Sequence, residues 1–284
     1  MIKKRRQNKT TGENGIQKIL LTNDDGISAP SMWDLYGELS KDASIMVVAP
    51  DRERSGTGHA FTFKKPLHYE KRRFKNGFEG FVVSGTPVDC VKFALSYLMP
   101  ERPDIVIAGL NVGENSGLSA FYSGTVAAAR EGAFWGIPSI AFSLCNGGER
   151  YATEYVVHAN SILKWIVSRE KRKKNHNVYY NVNFPACSPR KSRGIKVTAQ
   201  SLAFFDDRYE TIDVEAHHTK KGYMIYGEKK DLEQSDKYDS CALMNNYITI
   251  TPLTFDATAS EDYRLLLGKE KYIDKEVILY GRKR

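Results

Sequence analysis

Cysteine is scarce in this sequence. Its four residues (Cys90, Cys145, Cys187 and Cys241) are scattered and never form a CxxC pair. That spacing argues against a disulfide framework and a cysteine-based zinc site. Cys90 and Cys145 sit in apolar surroundings and read as small core residues. Long apolar runs are missing as well, since no stretch approaches the roughly 18 uninterrupted apolar residues of a membrane span. The amino terminus, MIKKRRQNKTTGENG, is basic and no apolar segment follows it as a secretory leader requires. A cytoplasmic location with no membrane partner is the expectation.

Several familiar signatures are also absent. No GxGxxG follows the first apolar run, and there is no GxxxxGK[ST], GxSxG or HExxH. GENSG, at 113–117, has loop glycines without the lysine of a P-loop. The formal charge of +8 gathers at Lys3–Arg6, Lys71–Arg73 and Lys171–Lys174. A nucleic-acid-binding protein on an α/β scaffold is one reading of that charge. Aromatic residues do not interleave with the clusters as a single-strand platform requires, so solvated tails and loops are the plainer reading. No specific nucleic-acid partner is expected, whereas a general positive field also suits small phosphorylated anions.

What is present is an ordinary core: 41% hydrophobic and 27% charged residues over 284 positions. That suits one large domain, or a main domain with a smaller appendage. Compact apolar runs at 18–22, 43–50, 80–85, 104–111, 138–144 and 177–185 read as strands. Helical stripes separate most of them. Pro30 opens a helix carrying Met32, Leu35, Tyr36 and Leu39. TPVD, at 86–89, supplies an N-cap, a first-turn proline and the reciprocal acid of a capping box. Residues 124–136 and 153–169 are further helices. Strands alternating with helices predict an α/β fold with a parallel sheet covered on both faces. From about 190 the pattern turns to short β-like stretches (GIKVTAQ, GYMIYG, NYITITPL). The expected organisation is a basic extension at 1–17, a core at 18–189 and a smaller β-rich portion at 190–284.

Ligands of open α/β sheets gather beyond the carboxyl ends of the strands. That edge would collect Asn23–Asp24–Asp25, the APDRERSGTGH loop, SGTP, and GLNVGENSG leading to YSGTVAA. Adjacent carboxylates repel unless a positive charge compensates them. A hard divalent cation is the natural compensation, with Ser55 and Asn111 as neutral oxygen partners. Taken alone, NDDG is equally compatible with a turn. Ser123, Gly124 and Thr125 stand at a helix amino terminus that favours an anion, although Ser123 or Thr125 could serve only as a cap. Arg52 and Arg54 are candidate anion partners. His59 is a candidate proton donor, although loop histidines more often only hydrogen-bond.

With these segments in order, the sequence resembles the SurE family of survival-protein nucleotidases. The resemblance is carried by ILLTNDDGISAP, VVAPDRERSGTGH, VSGTPVDCVKFAL, PDIVIAGLNVGENSG, YSGTVAAAREGAFWGIPSIAFS and YNVNFP, over about residues 18–185, with a weaker echo in YITITPL. It implies a Rossmann-like three-layer core with a smaller carboxyl-terminal portion. It also implies one divalent metal ion per subunit (Mg²⁺ or Mn²⁺) on Asp24, Asp25, Ser55 and Asn111. The implied phosphate loop is Ser123, Gly124 and Thr125, and Asn23 lies beside the metal pair. The implied activity removes the 5′- or 3′-phosphate of nucleoside monophosphates, extends in some members to short polyphosphate, and belongs to homodimers or homotetramers that exchange carboxyl-terminal elements.

Asp24 is the candidate to orient water and take its proton, with a covalent aspartyl role left open. That role would suit a haloacid-dehalogenase-like phosphatase, although DDG departs from the DxDG spacing of that group. The chain departs from the SurE pattern in its first seventeen residues and at GHAFTF, where Ala60 replaces the hydroxyl residue many members carry after the histidine. Residues 186–246 are the least diagnostic.

Overall fold

The apolar runs form the middle of a nine-stranded sheet. The computed structural model describes residues 16–74, 77–170, 177–213 and 221–269. The basic clusters Lys3–Arg6 and Lys171–Lys174, and most of the expected extension, lie outside them. The sheet holds β1 (Lys18–Thr22), β2 (Ser44–Pro50), β3 (Tyr69–Arg73), β4 (Glu79–Val83), β5 (Ile105–Val112), β6 (Ser139–Leu144), β7 (Val178–Phe184), β8 (Ile195–Val197) and β11 (Ile248–Thr254). Their spatial order is β3-β4-β2-β1-β5-β6-β7-β11-β8. The chain reverses direction across the sheet between β2 and β5, with β1 between them and parallel to both. The remaining strands, β9 (Phe204–Asp213) and β10 (Lys221–Lys230), pair antiparallel with each other in a separate ribbon.

The helices are α1 (Pro30–Leu39), α2 (Pro87–Phe93, continued by a π-helical turn at Ala94–Leu98), α3 (Ser119–Tyr122), α4 (Gly124–Phe134), α5 (Ala152–Glu170), α6 (Asp239–Met244) and α7 (Ser260–Leu266). Successive strand residues feed opposite faces. Ile19 and Leu21 pack with Met32 and Leu35 of α1 and with Tyr155, Leu163 and Ile166 of α5. Leu20 packs with Val91 of α2 and with Val126 and Ala129 of α4. The core is therefore two apolar layers with the sheet between them. Among the described residues no helix is long and apolar enough to cross a membrane.

Helix α2 begins as its sequence requires. The Thr86 side chain accepts from Asp89 N–H, and the Asp89 carboxylate accepts from Thr86 N–H at 2.9 Å. The region after 190 contributes strands both to the main sheet and to the ribbon. β8 and β11 extend the main sheet, paired parallel with each other. Residues from Thr254 onward form a second compact unit, whose described part contains α7. Strand β3 (YEKRR) is exposed throughout and closes one sheet edge antiparallel to β4. The basic cluster Lys71–Arg73 lies on this edge. Lys71 pairs with Glu79 at 2.6 Å and Arg72 pairs with Glu70. Charged side chains on an exposed edge discourage pairing with another chain.

Candidate active site

At the carboxyl end of β1 the chain leaves the sheet through Asn23, Asp24 and Asp25. Asn23 and Asp24 are buried. The Asn23 amide donates to Gly26 O at 2.9 Å, which turns the backbone sharply after the pair. Asp24 is held by the start of α4: Thr125 N–H donates to its Oδ2 at 3.1 Å, and the Thr125 hydroxyl donates to Oδ1. The contact requires Gly124, because a Cβ there would lie 2.9 Å from Asp24 Cβ and 3.1 Å from Pro87 Cγ. Ser123 serves as the N-cap of α4, its Oγ accepting from Val126 N–H at 3.1 Å. Gly124 and Thr125 thus face Asp24, and in this arrangement both Thr125 donors are used by that carboxylate.

The loop after β2 reaches the same place. Arg54 N–H donates to Asp24 O at 2.7 Å, which sets Ser55 beside the pair. Ser55 donates its hydroxyl to Glu53 Oε1 at 2.7 Å. Arg54 is fixed by Asp51 Oδ1 at 2.8 Å and Ser84 O at 3.1 Å, and its buried Nε–H has no partner. From β5 comes Asn111, just after a register shift between Ala108 and Asn111. Gly109 (φ 138°) lies in that irregularity, where a Cβ would stand 2.4 Å from Phe142 O. The Asn111 amide donates to Gly113 O at 2.6 Å, so a metal would be met by its Oδ1. The next residue, Val112, presents its backbone N–H to Asp25.

Burial pushes the Asp24 carboxyl up, against the hydrogen bonds from Thr125 that favour its charge. Asp25 is pushed up to about 6, first by burial, then by the charge of Asp24, with a further contribution from Glu53. Two buried acceptors, Asp25 Oδ2 and Asn23 Oδ1, have no donor. Such acceptors carry a desolvation cost unless something positive meets them. Among the described residues no three His, Cys, Asp or Glu side chains gather as a metal group. The oxygens available are two carboxylates, the Asn111 amide and the Ser55 hydroxyl, a hard donor set suited to Mg²⁺ or Mn²⁺. Glu53 is the residue that motif reading passed over. Its only sequence signal is its place between Arg52 and Arg54.

His59 is engaged on both ring nitrogens. Arg130 Nε–H donates to Nδ1 at 3.0 Å, so the proton resides on Nε2, which donates to Glu131 Oε2 at 3.0 Å. Glu131 also accepts from Trp135 Nε1 at 2.9 Å and Lys92 Nζ at 3.2 Å. Burial raises the Glu131 carboxyl, but the bonds from His59, Trp135 and Lys92 outweigh it and hold the group below its usual range. Glu131 is six residues beyond Thr125, about 9 Å of helix rise. His59 therefore anchors the Ser55 loop along the side of α4.

A cavity of about 450 Å³ opens at the opposite, amino ends of β1, β2 and β4, lined by Met46, Phe81 and Met99 among others. Its charged rim is internally paired, as Lys18–Glu101 and Lys71–Glu79. The chemistry-bearing residues all lie at the other end of the sheet.

A family model described as "Survival protein SurE" matches residues 19–207, which contain every residue of this site. The chain belongs to the SurE family. A SurE relative named 5′-nucleotidase SurE, from Syntrophus aciditrophicus, is 38% identical over 264 residues, 89% of this chain and 95% of its own length. Another SurE protein with that name, from Thermosipho africanus, is 36% identical and aligns over 91% of this chain and 99% of its own. The crystal structure of the SurE protein from Aquifex aeolicus superposes with a TM-score of 0.73 at 33% identity, covering 90% of this chain and 99% of that one. SurE likeness of this extent covers the α/β core and most of the region after 190.

Proposed function

We propose that this chain is a divalent-metal-dependent 5′-nucleotidase, a phosphomonoesterase releasing phosphate from nucleoside 5′-monophosphates and also from the 3′ isomers. Its membership in a family whose relatives carry that name supports the reading. The observation that carries it is Asp25: a carboxylate beside a buried neighbour of like charge, with one oxygen lacking any donor. One divalent cation on Asp24, Asp25, Ser55 and Asn111 would supply positive charge to a phosphate oxygen and to water.

The chain's own residues do the rest. Thr125 holds Asp24 at the amino terminus of α4, where the helix dipole favours negative charge. The Arg54 guanidinium, braced by Asp51 and Ser84, adds a fixed positive charge to the loop after β2. Asp25 orients the attacking water and takes its proton; its unpartnered Oδ2 suits it better than Asp24, whose oxygens both accept from Thr125. The leaving nucleoside draws its proton from solvent, because both His59 nitrogens are occupied. Phosphoryl transfer rests largely on such positioning and charge neutralisation.

The protein assembles as a homodimer or homotetramer through the ribbon. Tyr209, Tyr223 and Ile225 are exposed there, and an isolated two-stranded ribbon is at best marginally stable in water. The test of function is phosphate release from a panel of 5′- and 3′-nucleoside monophosphates and short polyphosphate, with chelator, Mg²⁺ or Mn²⁺. The native protein is compared with Asp24→Asn and Asp25→Asn, and light scattering reports assembly. Metal-restored release that both substitutions abolish is expected. Release that persists in chelator, or in either variant, refutes the assignment, and a trapped aspartyl-phosphate would move Asp24 or Asp25 to a covalent role.

A further inference from the structure

The ribbon is joined to the loop that follows Asn111 by one partly buried cation. Lys229, near the carboxyl end of β10, donates to Glu114 Oε1 and to Ser116 Oγ, both at 2.6 Å. Its side chain is 17% exposed and that of Glu114 25%. Glu114 is gripped from its other oxygen as well, since the Cys145 thiol donates to Oε2 at 3.1 Å. Burial and the Glu114 charge push that thiol far up, so it remains a neutral donor. The residue before Glu114 is Gly113, whose carbonyl orients the Asn111 amide and whose N–H donates to Leu144 O at 2.9 Å.

From this geometry we infer that Lys229 is a positioning residue: by clamping Glu114 and Ser116 it fixes the Gly113–Glu114 peptide, and through it the Asn111 amide whose oxygen would hold the cation. The inference deepens the metal-dependent reading and rests on it. The bonds are charge-assisted, the strong kind, and Lys229 is partly withdrawn from water. The rest of the loop is pinned from the sheet and from α6: Asn115 to Ser143 and Asn183, both at 2.8 Å, and Gly117 N–H to the Asp239 carboxylate at 3.1 Å. Lys229 is the link that originates in the ribbon. It stands opposite Phe205 in the register, near the ribbon's base, so order in the ribbon passes to a residue of the site.

The experiment compares full-length wild-type, Lys229→Met, Lys229→Arg, Glu114→Gln and the Lys229→Met/Glu114→Gln double variant. The primary readout is Mn²⁺ affinity, from the electron paramagnetic resonance signal of free Mn²⁺, with circular dichroism as the folding control. Nucleotide hydrolysis, with kcat and KM separated, is measured alongside. Loss of an outer partner of a metal ligand costs about ten- to a hundredfold in affinity. Lys229→Met is therefore expected to weaken Mn²⁺ binding about tenfold with the fold intact, Lys229→Arg to recover most of it, and the double variant to bind no more weakly than Lys229→Met. If Lys229→Met does not fold, Glu114→Gln, which removes the charge from the same clamp, carries the comparison. Unchanged Mn²⁺ affinity in the folded variants overturns the clamp, as does a wild-type protein that binds no Mn²⁺. A wild-type protein that binds Mn²⁺ but hydrolyses no nucleotide removes the nucleotidase reading instead, and the affinity comparison still decides the clamp.

Discussion

Asp25→Asn should make the metal-free protein more stable while destroying its activity. Burial, the Asp24 charge and Glu53 raise the Asp25 pKa from its ordinary 3.8 to about 6. At roughly 1.4 kcal/mol per unit, that shift is about 3 kcal/mol of penalty on the charged form, and partial solvent access reduces it to about 1–2 kcal/mol. The sign follows from linkage. The folded state binds this proton more tightly than the unfolded state, so stability falls as pH rises from 3.8 towards 6 and the full penalty applies above that window. Asparagine carries no such charge and is nearly isosteric. In chelator at pH 7.5, thermal melts should place Asp25→Asn about 2–8 °C above wild type, with the gap about halved at pH 5. Asp24→Asn should show no comparable gain. Its new NH₂ would face one of the two Thr125 donors, leaving a buried donor unpaired at a cost of about 1–3 kcal/mol. A gap for Asp25→Asn that is absent at pH 7.5, or no larger there than at pH 5, would refute the reasoning.

Three further outcomes can be checked with the same protein. Saturating Mn²⁺ at about 100 times its dissociation constant should stabilise wild type by about 2.7 kcal/mol, and Asp25→Asn far less, in parallel thermal-shift titrations. His59→Gln should lower kcat about tenfold, equally for a nucleoside monophosphate and for p-nitrophenyl phosphate, whose leaving group needs no proton; a loss confined to the nucleotide would make His59 a proton donor. Gly124→Ala should cost about 1–3 kcal/mol in denaturant melts by forcing its Cβ against Asp24 and Pro87, with activity falling in step.

The elements legible in the sequence were those whose pattern carries the reason for their burial. β1, β5 and β6 are nearly continuous apolar runs because both of their faces are covered. TPVD announces α2 because a capping box is local chemistry. β3 gave no such signal, since every side chain of YEKRR is exposed and its strand state depends on pairing with β4. β9 was equally silent: FFDDRYETID alternates around charged residues and is held by β10. The joining of β8 and β11 to the main sheet depends on chain segments about fifty residues apart in sequence, a distance over which no periodicity reaches.

The same division runs through the site. Strand ends collect ligands in open α/β folds, so Asp24, Asp25 and Asn111 could be grouped from the sequence. The bonds they make could not be read, because that of Thr125 to Asp24 spans 101 positions and that of Lys229 to Glu114 spans 115. Ser123 illustrates how one residue type serves two purposes: a serine before a glycine at a helix start suits a phosphate loop and an N-cap alike, and only the Val126 bond identifies the cap. His59 makes the stronger case. A histidine in a glycine-rich loop near two carboxylates invites an acid–base role until its neighbours are known. Arg130 and Glu131 then leave neither ring nitrogen free, and the residue becomes part of the frame that holds Ser55. A residue type can thus locate a site from sequence, whereas its role there is decided by which of its atoms are already bonded. By that criterion Asp25, with Oδ2 unpartnered and its charge uncompensated, is the group of this site left most open to reaction.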